Sequence, residues 1–238
     1  MGNSKLSGTL NMKNGFLSIK RVSMAAVEAY TEKGCTLKML HRAFAGETLY
    51  LNTENITCNG AAAGFGFVDG LPNIPGGFGH FISYGRGKGF PPGERVKCSP
   101  ETGEAMFLNQ PKDVMDGLNA VCIKPYEPND GADIVTALVT PDQLSTLIHI
   151  FCFRKAEYDN VIAPMTSGCA SVFRIPFGEL KRAEPRAVIG NIDVFSRPHF
   201  DKDMFFFTVS GKDFETMLAD TDESVITAPI WKGVQSRL

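Results

Sequence analysis

The sequence predicts an α+β (or α/β) protein in which helices flank a mixed sheet. Short β-branched or aromatic runs alternate with helical periodicities, most clearly where the run 134–139 precedes a helix start at Thr140. The composition is that of a globular protein, with 43% hydrophobic and 21% charged residues. A chain of 238 residues can bury a sizeable core, and we predict a single domain over residues 1–238.

The first half begins with a predicted strand and a predicted helix. Residues 15–30 have the pattern of a strand that runs into a helix or a loop. Apolar residues recur at helical spacing over residues 36–45, and Gly46 is typical of a helix C-terminus. A short strand follows at 48–51.

A long Gly-rich loop is predicted over residues 64–93, where glycine and proline separate aromatic residues. Such a loop is either a lid over a site or a plain surface connection. We predict a short strand at 80–84 within it. His80 is a candidate general base beside a thiol, and Arg86 and Lys88 are candidate contacts for an anionic ligand.

The second half predicts a more regular alternation of strands and helices. Thr140 followed by Pro141 is a typical helix start. The predicted strands are 120–125, 134–139, 161–164, 188–194 and 204–209, and the predicted helices are 102–108, 111–117, 140–154 and 213–219.

Two segments of the chain, residues 15–100 and 120–220, repeat one pattern. In each, an apolar helix precedes a short extended piece and then a cysteine beside small residues, Cys58 in one and Cys169 in the other. The pattern predicts an internal pseudo-repeat, with accidental similarity as the alternative. If both cysteines lie at strand-to-helix turns, the helix N-terminus would lower the pKa of each thiol.

Charge and cysteine usage exclude several classes of protein. A net charge of −2 with scattered basic residues argues against a nucleic-acid partner. The most apolar window, 144–153, is too short to span a membrane. The six cysteines form no C-x-x-C pair, which argues against a zinc ribbon or a thioredoxin-type motif. The N-terminus shows no signal-peptide pattern, so we expect a cytoplasmic location and reduced thiols.

Two charged residues near the end of the predicted 188–194 strand form a further candidate pair. Asp193 and Arg197 lie four residues apart. We interpret them as a structural ion pair, and a clamp for a ligand carboxylate is the alternative.

An ordered set of motifs carries a family resemblance. The motifs are Cys58-Asn-Gly-Ala-Ala-Ala-Gly-Phe-Gly-Phe, Pro141-Asp-Gln-Leu, Ser167-Gly-Cys169-Ala-Ser and Gly190-Asn-Ile-Asp-Val-Phe-Ser-Arg-Pro. Together they resemble the ArCR-like family of uncharacterised proteins, domain of unknown function 169. The resemblance covers most of the chain and implies one domain and a prokaryotic, often anaerobic, source. It adds weight to Cys58, Cys169 and Arg197, and the segment from Cys35 is similar to the family's opening cysteine-bearing helix.

Three hypotheses for function follow. The first is a thiolate-bound cofactor, such as an iron–sulfur cluster or another metal, that works with a redox partner. The second is a cysteine-dependent enzyme that acts on a small molecule under the Gly-rich loop. The third is a non-catalytic ligand-binding or assembly module in which the cysteines only pack. The candidate metal-binding residues are Cys58, Cys169 and Cys35, and the cofactor-binding set adds Gly60, Gly168 and Arg197.

Overall fold

The computed structural model describes residues 5–27, 31–85 and 92–238. Within these ranges seven strands form one mixed sheet. In chain order they are β1 (Phe16–Val22), β2 (Leu49–Leu51), β3 (Ala120–Pro125), β4 (Ile134–Val139), β5 (Val161–Ile162), β6 (Ala187–Gly190) and β7 (Phe205–Ser210). Their order across the sheet is β2-β3-β1-β4-β7-β6-β5, and neighbours are antiparallel except for the parallel pair of β5 and β6.

Helices cover both faces of this sheet. In chain order they are α1 (Lys5–Thr9), α2 (Thr36–Phe44), α3 (Asn59–Phe65), α4 (Phe78–Ile82), α5 (Pro100–Leu108), α6 (Pro141–Phe151), α7 (Gly168–Val172), α8 (Arg174–Glu179), α9 (Gly211–Asp220) and α10 (Trp231–Gln235). The predicted α+β class, a mixed sheet with flanking helices, is confirmed.

Alternation along the strands divides the buried residues between two cores. Side chains of a strand point to opposite faces in turn, so Ile134 and Leu138 of β4 enter the first core and Val135 enters the second. Phe206 and Phe207 of β7 divide in the same way. Residues of α2, α3 and α8 complete the first core, and residues of α1, α6, α9 and α10 complete the second. Cys35 and Cys169 pack against the first core, so the candidate cysteine site lies on that face of the sheet.

The predicted helix start at Thr140 is confirmed, and the structure shows a capping box there. The Thr140 side chain accepts a hydrogen bond from the Gln143 backbone N–H at 3.4 Å, and Gln143 Oε1 accepts one from the Thr140 N–H at 2.9 Å. These two bonds satisfy N–H groups that the first turn of a helix leaves without partners.

The strand predicted at 80–84 is wrong, because helix α4 occupies this part of the Gly-rich segment. Helices α4 and α5 pack against each other through glycines. A Cβ on Gly103 would lie 2.4 Å from Ile82 Cγ2, and a Cβ on Gly79 would lie 2.6 Å from the Pro100 carbonyl oxygen. Close packing on α5, rather than local propensity, therefore decides the conformation.

Two other predicted elements are corrected by backbone angles. The helix predicted at 111–117 is wrong: these residues form turns, and Asp113 and Asp116 have φ angles of 51° and 49° that a right-handed helix excludes. The strand predicted at 188–194 ends at Gly190, because Asn191 has a φ of 62°.

The predicted internal repeat over 15–100 and 120–220 stays a prediction, as does the single-domain organisation of residues 1–238. The first strands of the two segments, β1 and β3, pair antiparallel, and Ile19 lies opposite Ile123.

Candidate functional site

Helices α3 and α7 cross closely, and both predicted cysteines lie at this crossing. Cys58 is the N-cap residue of α3, and Cys169 lies in the first turn of α7, where the Ser167 hydroxyl accepts a hydrogen bond from the Ala170 N–H at 3.3 Å. A Cβ on Gly64 would lie only 2.7 Å from Cys169 Cβ. The glycine of α3 is therefore what allows the two helices to approach each other.

The three predicted cysteines lie in one neighbourhood but differ in their surroundings. Cys58 is exposed, whereas Cys35, at the N-cap of α2, and Cys169 are half-buried against the first core. Burial raises the pKa of Cys169 well above its usual value, and the charges of Cys58 and Cys35 add to this effect.

The expectation of a lowered pKa is therefore wrong for Cys169. The reason is that α7 has five residues, so its dipole is small, while removal of the thiolate from water is the largest contribution. Within residues 5–27, 31–85 and 92–238, no group of three or more His, Cys, Asp or Glu side chains is arranged to hold a metal ion.

A cavity of about 430 Å³ lies beside the crossing. Cys58, Gly60 and Gly64 of α3 and Ala170 of α7 form one wall. A Cβ on Gly60 would lie 3.4 Å from Cys58 Sγ, so the glycine leaves space next to the thiol. The opposite wall is mainly apolar and contains Ile74, Phe78, Phe81, Ile82, Val96 and Phe107.

Helices α4 and α5 and the segment before α4 pack tightly around the cavity. The ring of Phe78 on α4 meets that of Phe107 on α5 edge to face, with centroids 5.5 Å apart. The Asn59 side-chain amide donates a hydrogen bond to the Asn73 carbonyl at 2.8 Å and so ties the segment before α4 to α3. The predicted Gly-rich loop thus contributes a short helix to the cavity wall.

A few polar side chains also line the cavity. Asp193 accepts hydrogen bonds from the Gly168 and Phe195 backbone N–H groups, both at 3.1 Å. Burial, and then the charge of Asp193, raise the pKa of Glu94 above its usual value. Gln110 Nε2 donates to Thr166 Oγ1 at 2.7 Å, while Gln110 Oε1 is buried without a partner among the described residues.

The family is decided by a comparison with family models. The model described as "Uncharacterised ArCR", domain of unknown function 169, matches residues 5–220. The chain belongs to this family. No curated protein and no solved structure gave a significant match.

The residues that the ArCR family motifs emphasised take different places in the fold. Cys58 and Gly60 line the cavity. Gly168 is a packing glycine, because a Cβ there would lie 2.5 Å from Ser196 Cβ. Arg197 donates to the backbone carbonyls of Met204, at 2.6 Å, and of Asn191 and Lys202. It therefore holds the turn after β6 together and lies outside the cavity lining.

The structure places most of the charged or titratable residues that the sequence singled out. The ion pair of Asp193 with Arg197 is wrong, since each side chain is engaged with backbone groups instead. His80 lies on α4 outside the cavity lining, and its Nδ1 is buried without a partner in the described ranges. Arg86 and Lys88 lie outside the described residues.

Sequence reasoning missed Arg174. Among the described residues, it has the largest side chain that is almost fully buried. It donates to the carbonyls of Pro111, Ala63 and Val68 at 2.8–2.9 Å and to Asp69 Oδ1 at 2.5 Å. The signal was present, because Arg174 is the single charge in the run Val172-Phe-Arg-Ile-Pro-Phe. Its contacts hold the end of α3 and the segment after it in place beside α8.

The helices of the described residues are short compared with the thickness of a bilayer. None of them has both the length and the apolarity that a transmembrane crossing requires.

Proposed function

We propose that this chain binds a small, largely apolar organic molecule in the cavity beside Cys58. The observation that carries the proposal is the cavity itself: about 430 Å³, with mainly apolar walls and a few convergent polar groups. Ligand sites in proteins are clefts of about 300–1,000 Å³ with the same mixture of wall residues.

The thiol of Cys58 gives this site a reactive group. Cys58 is exposed, lines the cavity and has free space on the side of Gly60. A bound molecule with an electrophilic centre would lie within reach of a nucleophile. The proposal therefore includes both the cysteine-dependent enzyme and the non-catalytic binding module.

We expect the neutral dye N-phenyl-1-naphthylamine to bind saturably and to slow the alkylation of Cys58 by iodoacetamide. Cys98 is exposed but lies outside the cavity lining, so its alkylation should be unchanged by the dye. Cys169 should react much more slowly than Cys58 or Cys98. Burial raises the pKa of the Cys169 thiol and so lowers the fraction present as thiolate at neutral pH. Peptide mass spectrometry measures all three rates in one sample.

Two tryptophan variants provide a matched control on α5. Met106 lines the cavity and Leu108 is exposed outside it. Met106→Trp should fill the cavity and abolish saturable dye binding, whereas Leu108→Trp should retain it. Equal dye binding by both variants, or equal protection of Cys58 and Cys98, would overturn the proposal.

The thiolate-bound cofactor is the second candidate. The observation in its favour is that Cys58 and Cys35 lie close enough to Cys169 for their charges to raise its pKa. These thiols fit a cluster less well than the cavity fits an organic ligand, because the described residues offer no ready group of three ligands.

Metal content decides between the two candidates. Because the thiols form no ready ligand group, we expect protein purified without oxygen to be colourless and to contain less than stoichiometric iron. Stoichiometric iron with a visible band that the Cys58→Ala/Cys169→Ala double variant loses would instead establish the thiolate-bound cofactor and direct attention to a redox partner.

A further inference from the structure

Two carboxylates, those of Glu94 and Asp193, line the cavity, and an ionised carboxylate only accepts hydrogen bonds. Its ionisable lining residues among those described are Cys58, Glu94 and Asp193, and no lysine, arginine or histidine of residues 5–27, 31–85 and 92–238 lines it. A carboxylate or phosphate ligand would meet like charges there. An ammonium group, which carries three donors and no acceptor, is complementary to such a lining.

The two carboxylates differ in how they are engaged. Both oxygens of Asp193 accept backbone N–H groups, at 3.1 Å each, so this carboxylate is held in place. The backbone of Glu94 is fixed by the hydrogen bond from its N–H to the Phe81 carbonyl at 2.7 Å. Its carboxylate has no hydrogen-bond or ion-pair partner among the described residues, so it remains available to a ligand.

Gln110 supplies an independent indication. Its Oε1 is buried and lacks a partner in the described ranges, although its Nε2 is bound to Thr166. A buried carbonyl oxygen without a partner is costly, and a donor from a ligand would satisfy it. Both Gln110 and Thr166 line the same cavity as the two carboxylates.

We infer that the cavity selects a molecule with a cationic amino group on an apolar body over its neutral and carboxylate counterparts. The inference rests on the proposed function and names the ligand class of that site. The ammonium group faces Glu94, Asp193 and the oxygen of Gln110, while the apolar body contacts the wall that includes Ile82 and Phe107.

Three probes of similar size test the selection: 4-phenylbutylamine, 3-phenylpropanamide and 3-phenylpropionate. Calorimetry at neutral pH should show the amine binding about tenfold more tightly than the amide, and the carboxylate most weakly, because hydrogen bonds to charged groups are stronger than neutral ones. Glu94→Gln, which keeps the shape of the side chain, should reduce the preference for amine over amide by about tenfold.

Glu54→Gln is the matched control, because Glu54 is exposed and outside the cavity lining, and it should leave the preference unchanged. Tighter binding of the carboxylate, or a preference that Glu94→Gln does not alter, would overturn the inference. Binding of the naphthylamine dye with no binding of the three probes would also overturn it while sparing the proposed function. Failure of the dye and of all three probes would overturn both.

Discussion

Replacing Arg174 by methionine is expected to lower the free energy of unfolding by about 3–5 kcal/mol. The side chain is 1% exposed and makes four hydrogen bonds, one of them to the Asp69 carboxylate. Methionine fills much of the same volume but donates nothing. The Asp69 carboxylate, the buried carbonyl of Ala63 and the partly buried carbonyls of Pro111 and Val68 would lose their donor, and unpaired buried polar groups are costly.

Urea unfolding of Arg174→Met and Arg182→Met measures this effect against a matched control. Arg182 pairs with Glu179 near the same helix, but its side chain is 51% exposed. Exposed ion pairs contribute about 0–1 kcal/mol, so Arg182→Met should change stability little. A loss at Arg174 no larger than that at Arg182 would show that the buried guanidinium does not hold α3 and α8 together.

Replacing Gly64 by alanine is expected to destabilise the protein by about 1–3 kcal/mol through overpacking. The new Cβ would lie 2.7 Å from Cys169 Cβ and 3.2 Å from the Ala170 backbone nitrogen. Neither atom belongs to the flexible end of a side chain, so α3 and α7 must move apart. Since Cys58 and Ala170 line the cavity from these helices, dye affinity should fall as well.

Gly233→Ala provides the control for helix propensity. Gly233 lies on α10 with open space around the position of a Cβ, so alanine should stabilise the protein by up to about 1 kcal/mol. Thermal unfolding and dye titration of both variants separate crowding from propensity. If Gly64→Ala gained stability as Gly233→Ala does, close approach of α3 and α7 would not require the glycine.

Several elements could be predicted because their determinants are local. The β-branched run of β4 and the helix start at Thr140 and Pro141 each depend on a few neighbouring residues, and both predictions match the structure. Helix α4 could not be predicted in this way. Its residues include the pair Phe78-Gly79, a combination typical of the Gly-rich loop around it, and packing of Ile82 on Gly103 of α5 decides its conformation.

The residues of the candidate site also differ in how far the local sequence predicts them. Cys58 and Gly60 stand out in the sequence because the pattern of a cysteine beside small residues occurs in both segments of the chain, and both residues line the cavity. Glu94 and Gln110 carry no local signal, and the spacing of Asp193 predicted a pair with Arg197. The three residues come from separated segments that only the folded chain brings to one cavity.

Local sequence therefore determined the class of fold, elements such as β4 and the start of α6, and the position of one exposed thiol. Tertiary structure alone decided the chemistry of the second thiol, because burial among the helices of the first core raises the pKa of Cys169 against the expectation from its helix turn. It also brought two carboxylates, those of Glu94 and Asp193, to the lining of one cavity. Desolvation and the convergence of distant side chains depend on packing, and packing is not a property of any short stretch of sequence.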